Sequence, residues 1–212
     1  MALTSKRALI FNIFFPQTLF SKPRESLIFT LFLVLIGSLS LAVSAQYKVP
    51  IGPVPITLQS LVVLLLGAFY GWKLGAYTVV AYWLEGIVVG GFFGSVPWFA
   101  NGSGLTYFLS APSAGFLWGF LPMVMVIGIL LDEFGWRTNL LKIITALILG
   151  QFFLYLFGLI YAYYLILPYV DWMNSSNDLI NIYVMPYLLG DALKTGIVTI
   201  VTAQMVRVAQ SK

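Results

Sequence analysis

The sequence predicts an all-α integral membrane protein with six transmembrane helices. Of its 212 residues, 60% are hydrophobic and only 8% are charged. A chain of this composition has too little polar surface to cover a water-soluble globule. Its apolar runs are continuous in Leu, Ile, Val and Phe and do not alternate with polar residues, which favours membrane helices over a β-barrel.

The spans follow from the lengths of these runs. Four of them are long enough to cross about 30 Å of hydrocarbon. Two shorter runs on either side of Gly71-Trp72-Lys73 indicate a helical hairpin within the bundle. The six predicted spans are 27–45, 58–70, 74–89, 115–131, 143–167 and 179–206. They form one membrane domain, 26–212, preceded by a predicted cytoplasmic segment, 1–25.

The distribution of basic residues predicts the orientation. Six spans place both termini on one side of the membrane. Nearly all basic residues outside the spans fall on that side: Lys6, Arg7, Lys22, Arg24, Lys73, Arg137, Lys142, Arg207 and Lys212. The opposite side carries Lys48, together with Asp171 and Asp178. By the positive-inside rule, both termini are predicted to be cytoplasmic. The net charge of +4 therefore reflects orientation, and no basic patch for nucleic acid is expected.

Several function classes are disfavoured by residues that the chain lacks. It has no His and no Cys, which removes imidazole bases, thiol nucleophiles and the usual zinc and haem ligands. It also lacks a G-x-x-x-x-G-K-[ST] run for binding ATP phosphates. We therefore expect no cofactor and no enzymatic activity. A membrane-embedded enzyme using Asp191 and Glu85, or a structural bundle, remains an alternative.

Two ionisable residues in the final span predict a binding site. Asp191 and Lys194 lie one helical turn apart, so both side chains project from one face. A charged side chain at a membrane helix centre costs about 3 kcal/mol on insertion scales, so this face should point into the bundle or a polar cavity. A self-neutralising structural salt bridge is the alternative interpretation.

Two loops on the side opposite the termini are chemically unusual. The first, 46–57, contains Pro50, Pro53 and Pro55, which favour an extended backbone and exclude helix, so it should act as a stiff flap. The second, 90–113, mixes glycines with aromatic and hydrogen-bonding residues. Together these loops predict capture of a solute.

Four separated motifs resemble those of a known family. They are Val54-Pro55-Ile56-Thr57-Leu58-Gln59, Pro97-Trp98-Phe99-Ala100-Asn101-Gly102, Ala111-Pro112-Ser113-Ala114-Gly115-Phe116 and Gly190-Asp191-Ala192-Leu193-Lys194. In this order and spacing, over residues 38–206, they resemble the BioY family, the biotin-binding S components of energy-coupling-factor (ECF) vitamin transporters.

The resemblance implies the ECF S-component fold, with biotin bound near the outer face under the first loop and presented to the cytoplasm as the protein reorients. A transmembrane coupling protein and two ATPase subunits would supply the energy. Some members occur without a dedicated coupling module, so a solitary biotin transporter is the alternative.

The resemblance also implies the site residues. Biotin offers ureido N–H donors, a ureido carbonyl, apolar rings and a carboxylate, so its site needs acceptors, donors and apolar walls. Asp191 would accept from a ureido N–H, and Lys194 would bind either the ureido carbonyl or the carboxylate. The further candidates are Asn101, Ser103, Gln59 and Tyr187.

This chain departs from the family pattern at three places. Phe116 replaces a tyrosine, and Leu117 stands where some members carry an arginine, which leaves the partner of the carboxylate open. On the first span, Ser38 and Ala42 replace an Ala-x-x-x-Ala face that commonly docks the coupling protein. These small residues would still permit close approach of a partner helix. The role of Glu85, an acid in the third span, stays open.

Overall fold

The computed structural model describes residues 23–51, 53–93, 96–169 and 176–210. The predicted segment 1–25 lies outside these ranges except for its last three residues, and Asp171 and Lys212 also lie outside them. Seven α-helices and one β-ribbon form the described part: α1 Pro23–Gln46, β1 Lys48–Val49, β2 Ile56–Thr57, α2 Gln59–Phe93, α3 Gly104–Ser110, α4 Ala114–Gly128, α5 Leu140–Leu165, α6 Ser176–Tyr183 and α7 Leu188–Gln210.

Five helical regions of the described chain are long and apolar enough to cross a membrane, judged by length and composition. They are Leu27–Gln46, Gln59–Val89, Ala114–Glu133, Leu140–Tyr169 and Asp178–Ala209. Their outer faces expose large apolar side chains, such as Leu31 at 59% and Leu141 at 74%. Water would not solvate such faces, so the bundle requires lipid around it.

The second region turns back on itself at Gly71. This residue has φ 73° and ψ −177°, a conformation that glycine alone adopts readily. The side-chain amide of Gln59 donates to the hydroxyl of Tyr82 over 2.7 Å, although 23 residues of straight helix would separate them by about 35 Å. The two halves of α2 are therefore antiparallel. The predicted hairpin is confirmed, and α2 contributes two of six membrane crossings in the described chain.

Helix α4 lies between the α2 hairpin and α5 because glycines allow its backbone to approach both. A Cβ at Gly128 would lie 2.2 Å from the backbone nitrogen of Trp72, and one at Gly119 would lie 3.0 Å from the carbonyl oxygen of Leu154. Small residues at helix contacts permit this close packing within a membrane.

The sixth predicted span, 179–206, coincides with the apolar region Asp178–Ala209, but this region is not one continuous helix. The chain forms α6, then a 3-10 turn at Met185–Tyr187, and then α7. Pro186 lacks a backbone N–H and disfavours helical geometry at the residue before it, which accounts for the break. Asp191 consequently lies in the first turn of α7, where the helix dipole favours a carboxylate, and not at a helix centre.

The two unusual loops are more ordered than their composition suggests. In the first, β1 and β2 pair antiparallel with Lys48 opposite Thr57. The three prolines lie in the connection between these strands, whose described residues form a turn and irregular backbone. The second, predicted as a loop, contains the short helix α3. Both loops lie beside the cavity described next.

Candidate binding site

A cavity of about 600 Å³, including its open mouth, lies beneath the first loop. Its walls come from the β-ribbon loop, the start of α2, the α3 region and helices α4, α5 and α7. The lining residues are Val54, Pro55, Ile56, Thr57, Gln59, Ser60, Ala100, Tyr107, Ser113, Phe116, Leu117, Phe120, Leu154, Tyr155, Tyr187, Asp191 and Lys194. A concave lining that is mostly apolar, with a few convergent polar groups, is typical of small-molecule sites.

The predicted charged residues form an ion pair in the cavity wall. Lys194 Nζ lies 3.1 Å from Asp191 Oδ1, and the two residues are only 9% and 5% exposed. Lys194 also donates to Ser60 Oγ over 2.7 Å, and the hydroxyl of Tyr155 donates to Asp191 Oδ2. These neutral partners lower the cost of burying both charges.

A further layer of hydrogen bonds holds α7 against α5. Thr195 Oγ1 donates to the backbone carbonyl of Asp191 over 2.8 Å. Gln151 Nε2 on α5 in turn donates to Thr195 Oγ1, also over 2.8 Å. This layer fixes the rotation of α7 and therefore the direction in which Asp191 points.

The remaining wall is apolar and aromatic. Phe116 stacks on Tyr183, with ring centroids 6.1 Å apart and planes 7° from parallel. It also packs edge-on against Tyr155. Leu117 lines the cavity and is 4% exposed. This wall therefore offers no cation to a ligand.

The proline-containing loop covers one side of the cavity. Val54, only 6% exposed, packs with apolar residues of α6 and of the turn before α7. Its carbonyl oxygen accepts a hydrogen bond from the hydroxyl of Tyr187. The loop is thus attached to the segment immediately before the ion pair.

Four of the six predicted ligand-binding residues meet at the cavity: Asp191, Lys194, Gln59 and Tyr187. The other two do not line it. Asn101 is exposed, and its Oδ1 accepts a hydrogen bond from Lys48 Nζ over 2.8 Å. Ser103 immediately precedes α3.

The predicted docking residues are not available at the surface. Ser38 is 0% exposed and Ala42 is 7% exposed. Ser38 Oγ donates to Glu85 Oε1 over 2.7 Å, so this face of α1 packs against the second half of α2. This contact also places Glu85 against α1, whereas the hydrogen bonds of Lys194 go to Asp191 and Ser60.

Sequence reasoning missed Tyr155, Ser60 and Gln151. One signal was present, because Gln151 and Tyr155 lie four residues apart in an otherwise apolar run and therefore share a helix face. Ser60 gave no comparable signal, since its role depends on how α2 packs against α7.

The arrangement combines an acceptor and a donor, side by side, with apolar surroundings. Asp191 and Lys194 neutralise each other, so the wall carries no net charge for a ligand to balance. A small molecule with adjacent hydrogen-bond donors and acceptors and an apolar body matches these groups.

Comparison with known proteins agrees with this architecture. The chain is 30% identical over 166 residues to a protein named probable biotin transporter BioY from Lysinibacillus sphaericus, covering 75% of this chain and 76% of that one. It is 26% identical over 180 residues to biotin transporter BioY2 of Lactococcus lactis, covering 85% and 91% of the two chains.

A solved structure shares the fold. The crystal structure of the S-component for biotin from an ECF-type ABC transporter matches with a TM-score of 0.71 at 21% identity, over 88% of this chain and 95% of that one. The family model described as BioY family matches residues 18–211. The chain therefore belongs to the BioY family and has the S-component fold.

Proposed function

We propose that this protein is the biotin-binding membrane subunit of a biotin uptake system. The observation that carries the proposal is the Asp191–Lys194 pair, 3.1 Å apart, in the wall of an otherwise largely apolar cavity. The names of the relatives indicate biotin as the ligand. The cavity provides the hydrogen-bonding and apolar groups to bind it.

In this proposal the ureido ring lies against the ion pair. Asp191 accepts from a ureido N–H while Tyr155 holds its second oxygen. Lys194, held by Ser60, donates to the ureido carbonyl. The apolar rings of biotin contact Phe116, Leu117 and Phe120, which line the cavity. Biotin is the transported ligand, and no cofactor takes part.

We further propose that a transmembrane coupling protein and two ATPase subunits drive transport, with the protein in the bacterial cytoplasmic membrane and both termini cytoplasmic. The docking surface then involves residues other than the buried Ser38 and Ala42. Biotin uptake in a host that lacks any coupling module would instead support the solitary transporter.

The direct test is calorimetric titration of ligand-free purified protein with biotin and with lipoate. Lipoate carries a similar acid chain but no ureido ring. Saturable binding of biotin without binding of lipoate supports the proposal. Equal binding of both acids, or no binding of biotin, would refute it.

A further inference from the structure

Among the described residues that line the cavity, one is a lysine, and this lysine is already paired. Lys194 binds Asp191 and Ser60 in the buried wall, and Leu117 contributes no charge. Biotin carries a carboxylate at the end of its acid chain, far from its ureido ring. If the ring lies against the ion pair, as in the proposed function on which this inference rests, the carboxylate needs another cation.

Lys48 lies where it can provide a cation for the carboxylate. In an antiparallel ribbon, directly opposed residues project from the same face, and Lys48 is opposed to Thr57. Thr57 lines the cavity. Lys48 Nζ donates to the carbonyl oxygen of Ala100, which also lines the cavity. Its ammonium therefore lies at the cavity rim, between the two loops.

Lys48 does not itself line the cavity, but apart from Lys194 it is the one lysine or arginine, among those whose side chains the structure describes, that donates to a lining residue. Lys73 lies over the ring of Trp72 at the hairpin turn, and Arg137 pairs with Asp132. Neither of these residues, nor Lys142 or Arg207, lines the cavity.

A short stretch of chain joins the rim to the ion pair. Thr57 and Ser60, which mark the two ends, are three residues apart, so their backbones are separated by at most about 10 Å. Thr57 faces the same way as Lys48, while Ser60 binds Lys194. A molecule with a polar ring at one end and an acid at the other can bridge these two lysines.

We propose that Lys48 is the specificity-determining residue that binds the carboxylate of biotin at the rim of the cavity. Asn101 positions it, because Asn101 Oδ1 accepts one of its N–H groups over 2.8 Å. An ammonium has three donors, so those bound to Ala100 and Asn101 leave one for the acid. Binding of the acid would then join the ligand to both loops.

The test compares biotin with biotinamide, whose neutral amide replaces the carboxylate. The parent protein should bind biotin about tenfold more tightly than biotinamide, the scale of one hydrogen bond to a charged group. Lys48→Gln should lower the affinity for biotin about tenfold, to the level of biotinamide, and should weaken biotinamide much less, because its amide oxygen is uncharged. Lys48→Arg and the distant control Lys73→Gln should keep the preference. Because Lys48 is exposed, the preference should shrink as salt is added.

Three outcomes would overturn the role of Lys48: a parent protein without preference between the ligands, a Lys48→Gln variant that retains the preference, or equal weakening of both ligands in that variant. The last result would show that Lys48 only holds the loops together. Failure of the proposed function is distinguishable, because the parent protein would then bind neither biotin nor biotinamide.

Discussion

The hydroxyl of Tyr187 donates a hydrogen bond to the carbonyl oxygen of Val54. This contact joins the proline-containing loop to the turn immediately before α7, three residues from the start of the ion-pair motif at Gly190. The loop that covers the cavity and the helix that carries Asp191 and Lys194 are thus directly connected.

Removing this connection should accelerate ligand release. Tyr187→Phe deletes the hydroxyl but keeps the ring, and the lost hydrogen bond contributes about 1 kcal/mol. We expect the dissociation rate of biotin, measured by stopped-flow displacement, to rise roughly fivefold. The association rate should change less.

Tyr183→Phe is the matched control. The Tyr183 hydroxyl is buried and has no hydrogen-bond partner within the described residues, so its removal should leave the release rate nearly unchanged. If Tyr187→Phe releases biotin at the parent rate, the loop is not held by this contact.

The ion pair should matter for both stability and binding. Asp191→Asn leaves Lys194 charged and buried without its counterion, and breaking a buried pair in this way costs about 3–5 kcal/mol. Thermal unfolding of the ligand-free protein should therefore occur at a lower temperature, and biotin affinity should fall by well over tenfold.

The double variant Asp191→Asn with Lys194→Met separates these two effects. It removes the unpaired charge, so unfolding should return toward the parent temperature while biotin binding stays lost. Parent-like biotin affinity in the double variant would exclude the pair from the binding site.

Tyr155 should contribute to affinity through Asp191. Tyr155→Phe leaves Asp191 Oδ2 without the phenol that donates to it, and we expect biotin affinity to fall about tenfold. Tyr163→Phe, on an exposed part of the same helix, serves as the control in parallel calorimetric titrations. Equal affinities of the two variants would show that the phenol of Tyr155 does not support the site.

Alanine substitutions at two glycines, one at the hairpin turn and one within α7, should differ in their effect on stability. Gly71→Ala forces a side chain into positive φ and should destabilise the protein by about 1–3 kcal/mol. Gly196→Ala lies within α7, where no atom lies within 4 Å of the added Cβ, and helix propensity should make it neutral or stabilising by up to about 1 kcal/mol. Thermal unfolding of both variants measures the difference, and equal melting temperatures would contradict the strained turn.

Much of this architecture could be predicted from sequence because lipid imposes simple constraints on length and charge. The hairpin at Gly71 and the shared face of Asp191 and Lys194 both followed from local spacing. The break before α7 was missed because an apolar run continues through it, although Pro186 marked the position.

The remaining differences between the sequence-based predictions and the structure arise from long-range packing. Lipid-facing and interior faces of a membrane helix are both apolar, so sequence alone did not show that Ser38 and Ala42 pack inward. Likewise, the hydrogen bond from Lys48 to Asn101 joins loops 53 residues apart. No local pattern reveals that Asn101 holds a lysine at the rim and does not line the cavity itself.

In the proposed function, biotin occupies the cavity beside Asp191 and Lys194. Mass spectrometry can detect it among the small molecules released from protein that was purified in the presence of biotin and then washed. We predict biotin in equimolar amount from the parent protein and from Tyr183→Phe, and none from Asp191→Asn. Absence of biotin from the parent protein, or equal amounts from Asp191→Asn, would contradict the claim.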